Sequence, residues 1–119
     1  MRVLIADDNA AIRKGVAGVL STDADYEVCG EASDGPEAIE QVRRLDPDVV
    51  LLDISMPGMS GLEAARLIRE ESPAVKIVML SQQDVSQMMR AAVAAGADTC
   101  VDKSMIGRNL LETMRGLGA

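Results

Sequence analysis

Between residues 48 and 53 the chain reads DVVLLD, four aliphatic side chains without interruption, opened by Pro47 and ended by an acid. A strand with one wetted face alternates apolar and polar residues, so an unbroken run suits a strand covered on both faces, as in the middle of a parallel sheet. Parallel strands need crossover segments, and the rest of the chain supplies them. RVLIA (2–6) and KIVMLS (76–81) are further short apolar runs, and YEVCGEA (26–32) and ADTCVD (97–102) read as two more strands. Between them the apolar spacing becomes helical. Asn9 caps a helix to Leu20 in which Ile12, Val16 and Val19 or Leu20 share a face. SDGPEAIEQVRRL presents Ala38, Ile39, Val42 and Leu45. A loop containing Pro57, Gly58 and Gly61 precedes a helix carrying Leu62, Ala65 and Ile68. A helix from about Asp84 to Ala95 stops at Gly96, with Val85, Met89, Ala92 and Val93 expected inside; the last, 106–117, carries Ile106, Leu110, Met114 and Leu117. Five strand-then-helix units predict an α/β domain with helices on both faces of a parallel sheet.

Composition sets the texture of that domain. With 119 residues, 48% of them hydrophobic, the chain is expected to form one domain, 1–119, without repeats or internal linkers. It has no Phe or Trp and a single tyrosine, Tyr26, so aliphatic side chains and eight methionines must fill the core. A net charge of -7 argues against direct nucleic-acid binding and makes divalent cations the more plausible guests. Cys29 and Cys100 have no histidine to complete a zinc site and are expected to be reduced and structural. No secretory segment or membrane-spanning apolar stretch is read, so the expected location is the cytoplasm, with no membrane contact.

The chemistry-bearing residues fall at or beside the carboxyl ends of the predicted strands: Asp7 and Asp8 in ADDN, Asp53 in LLDISMPGMSG, Ser81 in MLS and Lys103 in AGADTCVDKS. Taken locally, Asp7, Asp8 and Asp53 could cap the segments that follow, Ser81 could simply end its strand, and Lys103 could be a solvated strand-end lysine. As an ordered set covering residues 2–117, they resemble the receiver domain of bacterial two-component response regulators. The local style resembles receivers that precede helix-turn-helix DNA-binding domains.

The resemblance implies a flavodoxin-like five-stranded parallel sheet, order 2-1-3-4-5, with ligands at its carboxyl edge beside the switch between strands 1 and 3. It implies a phosphorelay receiver rather than a conventional enzyme. Asp53 would accept a phosphoryl group from a sensor histidine kinase, and the domain would take part in its own phosphotransfer and dephosphorylation. Mg²⁺ would be held by Asp8, Asp53, the backbone carbonyl of Ser55 and, directly or through water, Asp7. Lys103 would pair with Asp53 and then with a phosphoryl oxygen, and Ser81 would donate its hydroxyl to the phosphoryl group. Ser55 and Gln83 would flank the route of hydrolytic water. The implied partners are the kinase, an output domain that is separate or outside this chain, and a second copy after phosphorylation.

Departures from the family pattern bear on output. Cys100 stands where receivers often carry a Tyr or Phe that rotates on activation, Asp102 replaces an apolar residue, and Ser104 replaces the Pro that often follows the lysine. Asp102 is expected to point away from the pocket, and Met88 and Met89 lie on a helix suited to switching. These departures support an alternative: a phosphorylation-independent, receiver-like protein-binding module. Two other classes fit poorly. DIS lacks a second carboxylate two residues after Asp53 for phosphohydrolase acid/base work, and GEASDG is not the GxGxxG loop of a dinucleotide site.

Overall fold

The structure is a computed structural model and describes residues 1–118. Among these residues the elements alternate: β1 (Arg2–Ala6), α1 (Ala10–Leu20), β2 (Glu27–Ala32), α2 (Gly35–Leu45), β3 (Val49–Asp53), α3 (Gly61–Glu71), β4 (Lys76–Ser81), α4 (Val85–Ala94), β5 (Thr99–Asp102) and α5 (Ile106–Gly116). A short 3-10 turn, Lys103–Met105, joins β5 to α5. All neighbouring strand pairs are parallel, in the order β2-β1-β3-β4-β5. The expected architecture and order are both found.

Strand alternation divides the core into two layers. Leu4, Val50, Leu52, Ile77 and Met79 point to one face, where Ala38, Ala65, Ile68 and Ala92 of α2, α3 and α4 cover them. Val3, Ile5, Val49, Leu51, Val78 and Leu80 point to the other, under Val16, Leu20, Leu110 and Met114 of α1 and α5. This two-sided cover is why β3 is an unbroken aliphatic run.

The starts of α1 to α4 follow side-chain caps, whereas α5 begins without one. Asn9 Oδ1 accepts from the amides of Ala11 and Ile12, and Asp34, Ser60 and Asp84 cap α2, α3 and α4 in the same way. Two local expectations need correction. Val93, which the apolar spacing places inside α4, is 53% exposed. The inward stripe is Val85, Met88, Met89 and Ala92, at i, i+3, i+4 and i+7 spacing, which turns position 93 outward. The fifth strand begins at Thr99 rather than Ala97, because Ala97 N donates to Ala92 O at 3.0 Å and so completes the end of α4.

One irregularity marks the β2 edge. Val3 pairs with Val28 but Leu4 pairs with Gly30, which leaves Cys29 as an extra residue in a bulge.

Candidate functional site at the carboxyl edge of the sheet

The parallel register brings the acids together. Ala6 pairs with Leu52, so one step further along β1 and β3 Asp7 stands beside Asp53. Asp7 N donates to Ala32 O at 3.0 Å, extending the β1–β2 ladder to this residue. Asp7 and Asp53 also continue the alternation of Ile5 and Leu51, and both side chains turn toward the α1/α5 face. They are 0% and 2% exposed, while Asp8 is on the surface.

Lys103 answers the charge problem that these neighbours create. It follows β5, two interstrand steps from β3, roughly 10 Å, and its long side chain crosses beneath the end of β4. Nζ lies 2.8 Å from Asp7 Oδ2 and 3.1 Å from Asp53 Oδ1. One ammonium is thus shared by two buried carboxylates. Burial pushes the Asp53 carboxyl above the usual aspartate range; Lys103 and the Ser55 amide pull the other way, and Asp7 adds to the rise. For Lys103, burial acts to lower the ammonium, but its pairing with Asp7 and Asp53 prevails and raises it.

The loop after β3 completes the site. Ser55 N donates to Asp53 Oδ1 at 3.1 Å, so both the ammonium and this amide engage the same oxygen. Gly61, the first residue of α3, folds back with its N–H donating to Ile54 O at 2.7 Å. A β-carbon there would lie 1.9 Å from Asp53 O, so only glycine permits this approach. Above Asp53 opens a polar cavity of about 240 Å³ lined by Asp8, Asn9, Asp53, Ser55, Gln82, Gln83 and Lys103. Asn9 and Gln82 were not anticipated as lining residues. Asn9 directly follows Asp8 and Gln82 directly follows Ser81, and that adjacency is the signal the sequence offers for them.

Ser81 and Gln83 are close but differently engaged. Ser81 continues the alternation of Ile77 and Met79, away from the Asp7–Asp53 side. Its Oγ donates to Gln83 O at 3.2 Å and accepts from Gln83 N at 3.0 Å, so the hydroxyl closes the β4–α4 loop here. Asp102 lies outside the acidic cavity. Its Oδ1 accepts from Ser104 N at 2.8 Å and Ser104 Oγ at 2.7 Å, capping the 3-10 turn. The Lys103–Ser104 peptide is trans. Cys100 is buried in the α2–α4 layer, and burial, followed by the nearby Asp102 charge, pushes its thiol up.

The donor set fits a hard divalent cation. Asp7, Asp8 and Asp53 can each contribute one carboxylate oxygen, all within 4.8 Å of one another. Asp7 Oδ2 is buried and, although ion-paired with Lys103, receives no well-aligned hydrogen bond. An oxygen-only cluster suits Mg²⁺-like ions rather than soft metals.

The profile of the family described as the response regulator receiver domain matches residues 3–115, and the chain belongs to that family. The nitrate/nitrite response regulator NarP of Escherichia coli K12 is 40% identical over 114 residues, covering 96% of this chain and 53% of NarP. A LuxR-family two-component response regulator from Aurantimonas superposes with a TM-score of 0.91 at 31% identity, over 98% of this chain and 83% of that one. The Borrelia burgdorferi CheX–CheY complex with BeF3 and Mg²⁺ contains a chain matching with a TM-score of 0.83 at 25% identity, over 98% of this chain and 89% of that one. The chain spans about half the length of the curated nitrate/nitrite and VraR regulators it matches. Among the described residues no helix is long and apolar enough to cross a membrane.

Proposed function

We propose that this domain is a phosphorelay receiver in which Asp53 accepts a phosphoryl group from a phosphohistidine on a sensor histidine kinase. The observation that carries the reading is a nearly buried Asp53 beside Asp7, shared with Lys103 at 3.1 Å and opening onto a polar cavity. Asp53 Oδ2 attacks phosphorus, the phosphorus–nitrogen bond to the imidazole breaks with its electron pair returning to nitrogen, and an acyl phosphate forms. Lys103 gives the incoming phosphoryl oxygens a fixed positive partner. The Ser55 amide keeps Asp53 Oδ1 turned toward Lys103. Asp8, Asp53, the Ser55 carbonyl and Asp7, directly or through water, are the residues we assign to Mg²⁺. When bound, that ion supplies charge neutralisation for the transferring phosphoryl group.

The relatives support the same reading. A related CheY is captured with BeF3, a phosphoryl mimic, and Mg²⁺. Ser81 is assigned to the phosphoryl group after its hydroxyl leaves the Gln83 backbone, a local rearrangement that would move the start of α4. Gln83 and Ser55 flank the path of hydrolytic water; both are uncharged, which favours a persistent acyl phosphate. We assign residues 1–119 to a single receiver that signals in the cytoplasm, either to an output domain, for which the greater length of the relatives leaves room, or by pairing with a second copy.

Intact mass before and after treatment with acetyl phosphate tests the assignment. We expect one added phosphoryl group that requires Mg²⁺ and is lost in Asp53→Ala. A wild-type chain that gains no mass would instead support the phosphorylation-independent binding module.

A further inference from the structure

Arg13 belongs to the start of α1, yet its guanidinium is largely covered and reaches back to the end of β1. Nη1 donates to the main-chain oxygen of Asp7 at 2.7 Å, and Nε donates to Glu31 Oε1 at 2.9 Å on β2. The accepting oxygen belongs to the peptide that joins Asp7 to Asp8. The tilt of that peptide decides how the two acidic side chains diverge, Asp7 inward to Lys103 and Asp8 outward to the cavity mouth. The other groups of Asp7 are held separately: its N–H by Ala32 O and its Oδ1 by the Asn9 amide at 2.9 Å.

Building on the cation-dependent reading above, we infer that Arg13 is a positioning residue for the acidic site, clamping the Asp7–Asp8 peptide so that both carboxylates address one cation. Glu31 takes up the guanidinium charge, so the clamp does not compete with the ion. The two bonds use separate nitrogens of one planar group, which a lysine ammonium cannot reproduce.

Charge alone and positioning predict opposite signs. If Arg13 acted only as a nearby cation, its removal would leave the site more negative and Mg²⁺ would bind more tightly. If it positions the peptide, removal weakens binding, by about tenfold for a group that orients metal ligands.

Calorimetric titration of the full chain with Mg²⁺ separates the two. We expect about tenfold weaker affinity in Arg13→Ala and an intermediate loss in Arg13→Lys. Arg115→Ala, which breaks an ion pair with Asp23 beyond the other end of α1, should leave affinity unchanged. Mass gain from acetyl phosphate should slow in Arg13→Ala at limiting Mg²⁺ and recover at saturating Mg²⁺. Unchanged or tighter Mg²⁺ binding by a folded Arg13→Ala protein overturns the role of Arg13 alone. A wild-type chain that takes up no Mg²⁺ overturns both this role and the cation-dependent reading beneath it.

Discussion

Gly61 lies against the main-chain carbonyl of Asp53 so closely that a β-carbon at position 61 would sit 1.9 Å from that oxygen. The residue that starts α3 therefore sets the height of the peptide that carries the Asp53 carboxylate. Gly61→Ala must displace backbone rather than a flexible side chain, and we expect a loss of about 2–4 kcal/mol in urea unfolding. Acyl phosphate formation should slow with it. Gly58 has φ +78 but open space at its β-carbon, so Gly58→Ala should lose only about 1 kcal/mol from backbone strain. Equal losses at the two positions would contradict the close-contact account.

Asp53→Asn should stabilise the domain at neutral pH. Burial of the Asp53 charge is the main cost and the neighbouring Asp7 adds to it, so an amide in its place removes both; with solvent screening at the open cavity we expect a gain of about 1 kcal/mol. The pH dependence follows from the raised carboxyl of Asp53. A folded acid that holds its proton more tightly than the unfolded one weakens folding above its folded pKa. That penalty fades as pH falls toward the unfolded value, about 3.9. The advantage of Asp53→Asn over wild type should shrink through that window. Urea denaturation of both proteins at neutral and acidic pH measures it, and a constant difference would count against it.

At the opposite edge of the sheet Arg69 staples three segments. Its guanidinium donates to Gly96 O and Pro73 O at 2.9 Å, to Val75 O at 2.6 Å and to Asp98 Oδ2 at 2.9 Å, while Asp98 Oδ2 also accepts from Ile77 N at 2.8 Å. Arg69→Ala should lower stability by about 2–3 kcal/mol, since several carbonyls lose a shared donor. Arg69→Lys should recover little, because one ammonium cannot span the fork. Acceptance of a phosphoryl group by the folded fraction should be unchanged, which mass analysis under native conditions reads directly.

The two thiols should be inert in the native protein for a shared reason. Burial is the leading cause that raises each one; Arg2 offsets it in part at Cys29, whereas Asp102 reinforces it at Cys100. Cys29 is half-buried in the β2 bulge and Cys100 is buried under α4. With iodoacetamide at neutral pH we expect slow labelling of Cys29 and labelling of Cys100 only after unfolding in urea. Rapid native labelling of Cys100 would contradict a purely structural role for this position.

What could be read from the sequence was what depends on near neighbours. The aliphatic runs of β3 and β4 and the Asn9 cap announce themselves locally, and Asp7, Asp53 and Lys103 mark strand ends. The strand order came from family resemblance, because apolar periodicity says which segments are strands but not which lie adjacent. Relationships carried by main-chain atoms leave no mark in side-chain spacing and were invisible. Arg13 bonding the Asp7 carbonyl, Gly61 against Asp53 O and the Ser81 hydroxyl turned to the Gln83 backbone all belong to this group. Val93 shows a different limit: on α4 a shift of one position rotates a side chain from core to solvent.

Lys103 and Asp7 should prove strongly coupled. Lys103→Met removes the ammonium that lies 2.8 Å from Asp7 Oδ2 and 3.1 Å from Asp53 Oδ1, leaving two adjacent buried carboxylates uncompensated. Breaking one side of such a pair is typically worth about 3–5 kcal/mol when fully buried, and the open cavity should bring the loss to the lower end. Asp7→Asn introduced into Lys103→Met should recover much of it, so the double-mutant cycle gives a large interaction energy. The raised ammonium adds a pH signature. Its contribution is complete below the unfolded lysine value, about 10.4, and is lost as pH rises through the higher folded value. Wild type should therefore lose its advantage over Lys103→Met on the alkaline side. Additive effects of the two substitutions in urea unfolding would show that the shared ammonium does not hold this pocket together.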